Sequence, residues 1–355
     1  MTSAATTALL ATAALLGLAA AHNVTISNVV PRRDADGAIL DAHDSKLLFR
    51  NGRYEWFAAS YGNCTEPPGG NGCASVSIGA CGFQTNHNVT LYTSTDLVSW
   101  VNRGVVFGAL GNLPPNSVLF APKTVYNAKT QMYVLFFNYI VESFSNSYYG
   151  IATSPNAEGP FTVQVKSLAL RYTDNGDENV LVDDNGDAYF IYTTLSHNHG
   201  MSIEKLAPDY LSSLGATDPS QSSGIFGDSF VEAPALFKRG AIYYAVFGSC
   251  CCYCGGGSVV SVYTSPSALG PYTKRSVLAV GGGPGAAAFG SQQTDIFSYT
   301  DSSGAAQFMY VGDHWQSAPD RLKAHDFTVW APLSFTADGN VTTAGFEPSF
   351  VVDVA

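Results

Sequence analysis

One unit recurs five times along this chain, and that repetition limits the folds open to it more than any other feature. The unit is an apolar strand, a short polar turn with Gly, and a strand rich in Tyr and Phe. It runs as KLLFRNGRYEWFAASYG from Lys46, KTVYNAKTQMYVLFFNY from Lys123 and NVLVDDNGDAYFIYTT from Asn179. It returns as ALFKRGAIYYAVFGS from Ala235 and, with a longer turn, as TDIFSYTDSSGAAQFMYVGDHW from Thr294. An outer pair of strands follows each copy, several carrying a second signature: LYTSTDLVSW, IATSPNAEGPF and VYTSPSALGPY. Five units in about 330 residues allow roughly 65 residues each, the size of four strands with their connections. Apolar alternation with Gly, Pro and Asn between segments predicts strands, and no long stretch has a helical period. Four-stranded units in tandem remove their exposed edges by closing radially. The predicted fold is therefore all-β, a five-bladed β-propeller with four-stranded antiparallel blades. A sandwich or β-helix does not produce five copies of this length.

The chain has 355 residues, 28 acidic and 17 basic, for a formal net charge of −11. Nucleic acids and anionic membranes require a basic surface, so neither is expected as a partner. The N-terminal run ALLATAALLGLAAAH ends in small residues at Ala19 and Ala21. It is too short and too alanine-rich for a membrane span and predicts a secretory signal over 1–21, although its leading MTSAATT lacks a basic side chain. Residues 22–355 are then one catalytic domain. Sequons at Asn23, Asn63, Asn88 and Asn340 accord with export and glycosylation.

Seven cysteines fall in two clusters: Cys64, Cys73 and Cys81, then Cys250, Cys251, Cys252 and Cys254. In an oxidising compartment disulfides are expected, with one thiol left over. CCCYC lacks a second CxxC at zinc-ribbon spacing, which disfavours zinc. The clusters lie in loops of blades one and four, which are not neighbours in a five-fold ring. Pairing is therefore expected within each cluster.

In a propeller the innermost strand of every blade starts near one end of the axis. The residues just before the five inner strands are Asp44, Phe120 to Lys123, Asp177, Glu232 and Gln292. Three of these places carry carboxylates in a chain that is only 13% charged. Asp44 lies ten residues before Tyr54, Asp177 twelve before Tyr189 and Glu232 eleven before Tyr243. That spacing predicts all three at corresponding heights around one funnel. Converging carboxylates suit glycosidic bond hydrolysis: one acid protonates the leaving oxygen while an ionised partner activates water. A third carboxylate raises the acid's pKa by repulsion. Loops returning to the same face begin near Tyr61, Asn138, Ser196, Ser249 and Asp313. Tyr61, Asn138, Asn198, Asp313 and Trp315 are expected to stack on or hydrogen-bond a sugar ring. His197 and His199 in LSHNHG are too loosely spaced to predict a metal pair. A copper-binding histidine brace at His22 would need another scaffold. No catalytic metal or cofactor is expected.

These segments resemble glycoside hydrolase family 43, whose five-bladed enzymes cleave galactans, arabinans and xylans with inversion. The likeness rests on AHDSKLLFRNGRYEW, DENVLVDDNGDAYF and VEAPALFKRGAIYY, in that order. It implies Asp44 as base, Asp177 as pKa modulator and Glu232 as general acid. The strings APKTVYNAKTQMYVLFFN, EAPALFKR and SQQT are most similar to the exo-β-1,3-galactanases. In those enzymes a Gln from an SQxT segment, here Gln292, stands near the water in place of an Asp base. This chain holds both Asp44 and Gln292, and it has Phe120 where that subfamily carries a substrate-contacting Glu. The resemblance implies an inverting hydrolase on plant or algal-type polysaccharide, β-1,3-galactan foremost. An arabinofuranosidase, a β-xylosidase and a non-catalytic sugar-binding propeller are the alternatives. It also admits a central calcium or sodium ion without naming ligands. A monomer acting on a polysaccharide or oligosaccharide is expected.

Overall fold

The computed structural model describes residues 22–66, 77–141, 143–173, 175–249, 253–278, 288–342 and 345–355. The proposed signal segment, Cys73 and Cys250 to Cys252 lie outside them. Five four-stranded antiparallel sheets follow one another along the chain, each made from consecutive strands. Their inner strands are His43–Arg50, Ser117–Asn127, Asn175–Val182, Val231–Arg239 and Gln292–Thr300. Each pairs with the strand that follows it through a tight turn. The five-bladed propeller is as predicted, and the strand starts lie where the repeat placed them.

The core is divided among the five seams between blades. Phe57, Leu91, Leu135 and Phe137 fill the seam of blades one and two, and Phe136, Val180 and Phe190 that of blades two and three. Ile191, Leu236 and Phe247 join blades three and four, and Val246, Ile296 and Tyr310 join four and five. The last seam needs more, because no blade is shared between the two ends of the chain. There His22–Ser27 pairs antiparallel with Ser349–Val354. Ile26, Phe350 and Val352 pack with Trp56, Trp100 and Trp330 between blades five and one. Tryptophan is the largest side chain available to fill this seam, and all three rings are buried. Among the described residues no helix is long and apolar enough to cross a membrane.

Candidate active site

Every inner strand carries a β-bulge near its start. The register slips by one residue between His43 and Lys46, Phe120 and Lys123, Asn175 and Glu178, Glu232 and Ala235, and Gln293 and Asp295. Bulges bend a strand and re-aim its side chains. In three blades the bulge holds a residue in the left-handed region: Asp44 (φ 48°), Ala121 (φ 44°) and Ala233 (φ 52°). The three acids all lie at such bulges but not at one height. Asp44 stands five residues before Phe49, which faces Tyr54; Asp177 stands four before Leu181, which faces Tyr189; Glu232 stands six before Lys238, which faces Tyr243. The expectation of corresponding heights is thus corrected. The acids occupy successive positions of equivalent bulges, and the inserted residue turns each toward the funnel.

Their charges act on one another. Burial, then the Glu232 and Asp44 charges, push Asp177 up to about 8. Burial, then Asp313, holds Asp44 above the ordinary carboxylate range, while Tyr61 and Lys123 oppose the shift. The fully buried Glu178 beside them is pushed well above its usual range by burial and by Asp177. Such a cluster keeps protons at neutral pH that isolated carboxylates would lose, and it titrates as a unit.

Each acid is held by a different hand. The Asp44 N–H donates to Asp313 Oδ2 at 2.9 Å, and the Tyr61 hydroxyl donates to Asp44 Oδ2 at 2.6 Å. Asp177 Oδ2 accepts from the Ala233 N–H at 3.1 Å, tying blade three to blade four. Glu232 Oε1 accepts from Gln292 Nε2 at 3.1 Å. The other end of that amide, Gln292 Oε1, accepts from Trp315 Nε1 at 2.7 Å. Beneath the acids the axis carries two lysines. Lys123 Nζ donates to the carbonyls of Asp44, Ser45 and Thr294 at 2.8–3.0 Å. Lys46 Nζ donates to Asn179 Oδ1 at 2.9 Å and Asp295 Oδ1 at 3.2 Å. Among the described residues no group of three His, Cys, Asp or Glu is arranged to hold a metal ion.

The expected sugar contacts need revision. Tyr61 is 0% exposed and Trp315 1%, so neither offers a ring face to a ligand. They stand behind Asp44 and Gln292 and orient them. Asn138 is buried and donates to the Gly176 carbonyl at 2.8 Å, bracing the bulge ahead of Asp177. Asp313 is also buried and reaches His43 Nδ1 at 3.4 Å as well as Asp44. Burial alone would lower His43, but Asp313 and Asp41 overcome it and raise the imidazole to about 8. Of the five expected contacts only Asn198 is exposed on the rim.

Lys323 was not legible as a site residue, because RLKAHD has no counterpart in the other repeats. Its ammonium lies 3.7 Å from the Tyr253 ring centroid, 3.8 Å from that of Trp315 and 5.2 Å from that of Tyr61. It pairs with buried Glu66 at 3.1 Å. Tyr253 was missed as well. It belongs to the blade-four cysteine loop, yet its hydroxyl meets that of Tyr61 at 3.0 Å and donates to the Gly82 carbonyl at 2.8 Å. Loops of blades one and four therefore touch across the mouth, although the blades themselves are not adjacent. Cys64 and Cys81 are joined, a pairing inside the first cluster, and Cys254 is also disulfide-bonded.

A cavity of about 470 Å³ opens at the other end of the axis, lined by Phe49, Arg50, Tyr126, Asp184 and Lys238 among others. Its carboxylates are engaged with Lys238, whereas three acids from three blades converge at the strand starts.

Five antiparallel blades with converging acids at the inner-strand starts define a glycoside-hydrolysing propeller. The chain belongs to glycosyl hydrolases family 43, whose model matches residues 77–340. It is similar in structure to an exo-β-1,3-galactanase from Clostridium thermocellum, with TM-score 0.75 and 23% identity over 93% of this chain and 67% of that one. It is also similar to a family 43 β-1,3-galactosidase solved with galactodeoxynojirimycin, with TM-score 0.73 and 22% identity over 90% and 98% of the two chains. A third likeness is an exo-β-1,3-galactanase from Phanerochaete chrysosporium solved with β-1,3-galactotriose, with TM-score 0.72 and 20% identity over 93% and 69%. No curated protein sequence matches.

Proposed function

We propose that this family 43 hydrolase removes galactose from the ends of β-1,3-galactan with inversion at the anomeric carbon. The observation that carries the chemistry is the convergence of Asp44, Asp177 and Glu232 from three separate blades, close enough for the charges of Glu232 and Asp44 to act on Asp177. Glu232 is the general acid, protonating the glycosidic oxygen as the bond breaks. Asp44 is the base, deprotonating a water on the opposite face of the sugar. Asp177 titrates together with the acid, so that the pair retains a proton at neutral pH.

Gln292 supports the acid. An amide cannot hold a proton at neutral pH, and the oxygen of this one already accepts from Trp315. Its remaining function is to donate to Glu232 and fix that carboxyl's rotamer. The choice of galactan rests on the three similar enzymes, each named for β-1,3-galactose linkages. The apolar leader, the sequons and the Cys64–Cys81 disulfide support action outside the cell.

A panel of β-1,3-galactan, arabinan and xylan with product analysis tests the proposal. Galactose released from the first alone, and lost by 10²–10⁴-fold in Glu232→Gln, is the expected result. Arabinose or xylose as the main product would overturn the substrate. Undiminished activity in Glu232→Gln would overturn the acid.

A further inference from the structure

Phe230 stands two residues before Glu232, in the turn that leads into the blade-four inner strand. It is 62% exposed, the most exposed aromatic side chain among the described residues. Its backbone lies in the left-handed region at φ 55°, a conformation that favours glycine and is costly for a bulky side chain. A ring kept in water on strained backbone adds little to folding. Strain of this kind persists where the surroundings over-determine it, and it gathers at functional sites.

The surroundings here do over-determine it. The Phe230 N–H donates to the Asn198 carbonyl at 2.7 Å, and the Val231 N–H donates to the His199 carbonyl at 3.2 Å. The His199 ring lies 5.5 Å from the Phe230 ring at 34°. A loop of blade three thus holds the phenyl ring from one side and leaves the rest of it open. Two residues of extended chain span about 7 Å at most, close to the width of one sugar ring. Asp177 Oδ2 accepts from the N–H of Ala233, the residue that follows Glu232, which sets the other acids, and with them the sugar being released, on that side of Glu232. Phe230 precedes the acid in the chain and is exposed to solvent, where a leaving group has room to extend.

We propose that Phe230, backed by His199, is the stacking platform for the sugar on the leaving-group side of the scissile bond. This rests on Glu232 being the general acid. The apolar face of a galactose ring, with its axial C–H groups, is suited to an aromatic surface. The other rings near the acids are buried (Tyr61 and Trp315) or turned onto one another (Phe83, Phe120 and Tyr253). They do not offer an equivalent open face.

The test compares a substrate that has a leaving-group sugar with one that lacks it. For Phe230→Gly, kcat/KM on β-1,3-galactobiose should fall on the order of 3- to 10-fold, the range of an aromatic contact. Turnover of β-galactosyl fluoride should be unchanged, and thermal stability unchanged or raised because glycine relieves the backbone. Phe230→Trp should retain disaccharide activity. Equal losses on both substrates, or a loss of stability in Phe230→Gly, would overturn the platform. If the wild-type enzyme proves to act on xylosyl or arabinosyl substrates, galactan specificity fails. The same comparison with those sugars then decides the platform separately.

Discussion

The Trp315 indole N–H donates to the Gln292 amide oxygen at 2.7 Å, and this bond decides which atoms of the glutamine face the acid. With its oxygen engaged, Gln292 presents its NH₂ group to Glu232. A donor so placed favours the ionised carboxylate and competes with Asp177, whose charge favours the protonated form.

Asp44 and Gln292 are therefore expected to fail differently. Asp44→Asn removes the base and should lower kcat by about 10²–10⁴-fold. Gln292→Ala should lower it by about tenfold, the scale of one lost hydrogen bond to a charged group. Azide should rescue only Asp44→Asn. Near-normal turnover in Asp44→Asn beside an inactive Gln292→Ala would reverse the two assignments.

The pH profile follows from the directions of the shifts. The base must be ionised, and Asp44 is raised, so activity should fall on acidification at a pH above the usual aspartate range. The acid must be protonated, so the alkaline limb should lie near the titration of the cluster, about 8 for its Asp177 member. Asp177→Asn removes the carboxyl whose titration is coupled to that of Glu232. The alkaline limb of kcat/KM should then move to lower pH. A limb that stays in place would show that Asp177 does not tune the acid.

Lys323 and Glu66 are almost wholly buried, with side-chain exposures of 1% and 9%. Removing one partner leaves an uncompensated charge, so Lys323→Met should destabilise the fold by about 3–5 kcal/mol, as should Glu66→Gln. The double variant should lose clearly less than the two together when measured by urea unfolding. Simple additivity would mean that the pair is not coupled.

Much of this was legible because repetition is a strong signal. Five copies of one strand-turn-strand unit defined the blades, and three of the five strand starts displayed acids. What the spacing could not show was the bulge. Each inner strand inserts one residue, but Glu232, Asp44 and Asp177 take the first, second and third positions of their bulges, which counting from Tyr54, Tyr189 and Tyr243 does not reveal. The aromatics were misjudged for a related reason. Trp315 and Tyr61 do lie at the site, but burial makes them supports for Gln292 and Asp44 rather than surfaces for sugar. Lys323 and Tyr253 lie in loops outside the repeat, and only folding brings Tyr253 from blade four onto Tyr61 of blade one.

The most direct test of the account is the anomeric form of the first galactose released from β-1,3-galactobiose, followed by proton NMR before mutarotation. Asp44 and Glu232 acting as base and acid require the water to enter opposite the leaving group, with the carboxyls ~6.5–9.5 Å apart. α-Galactose is the expected initial product. Initial β-galactose would mean a covalent glycosyl-enzyme intermediate and would contradict these roles.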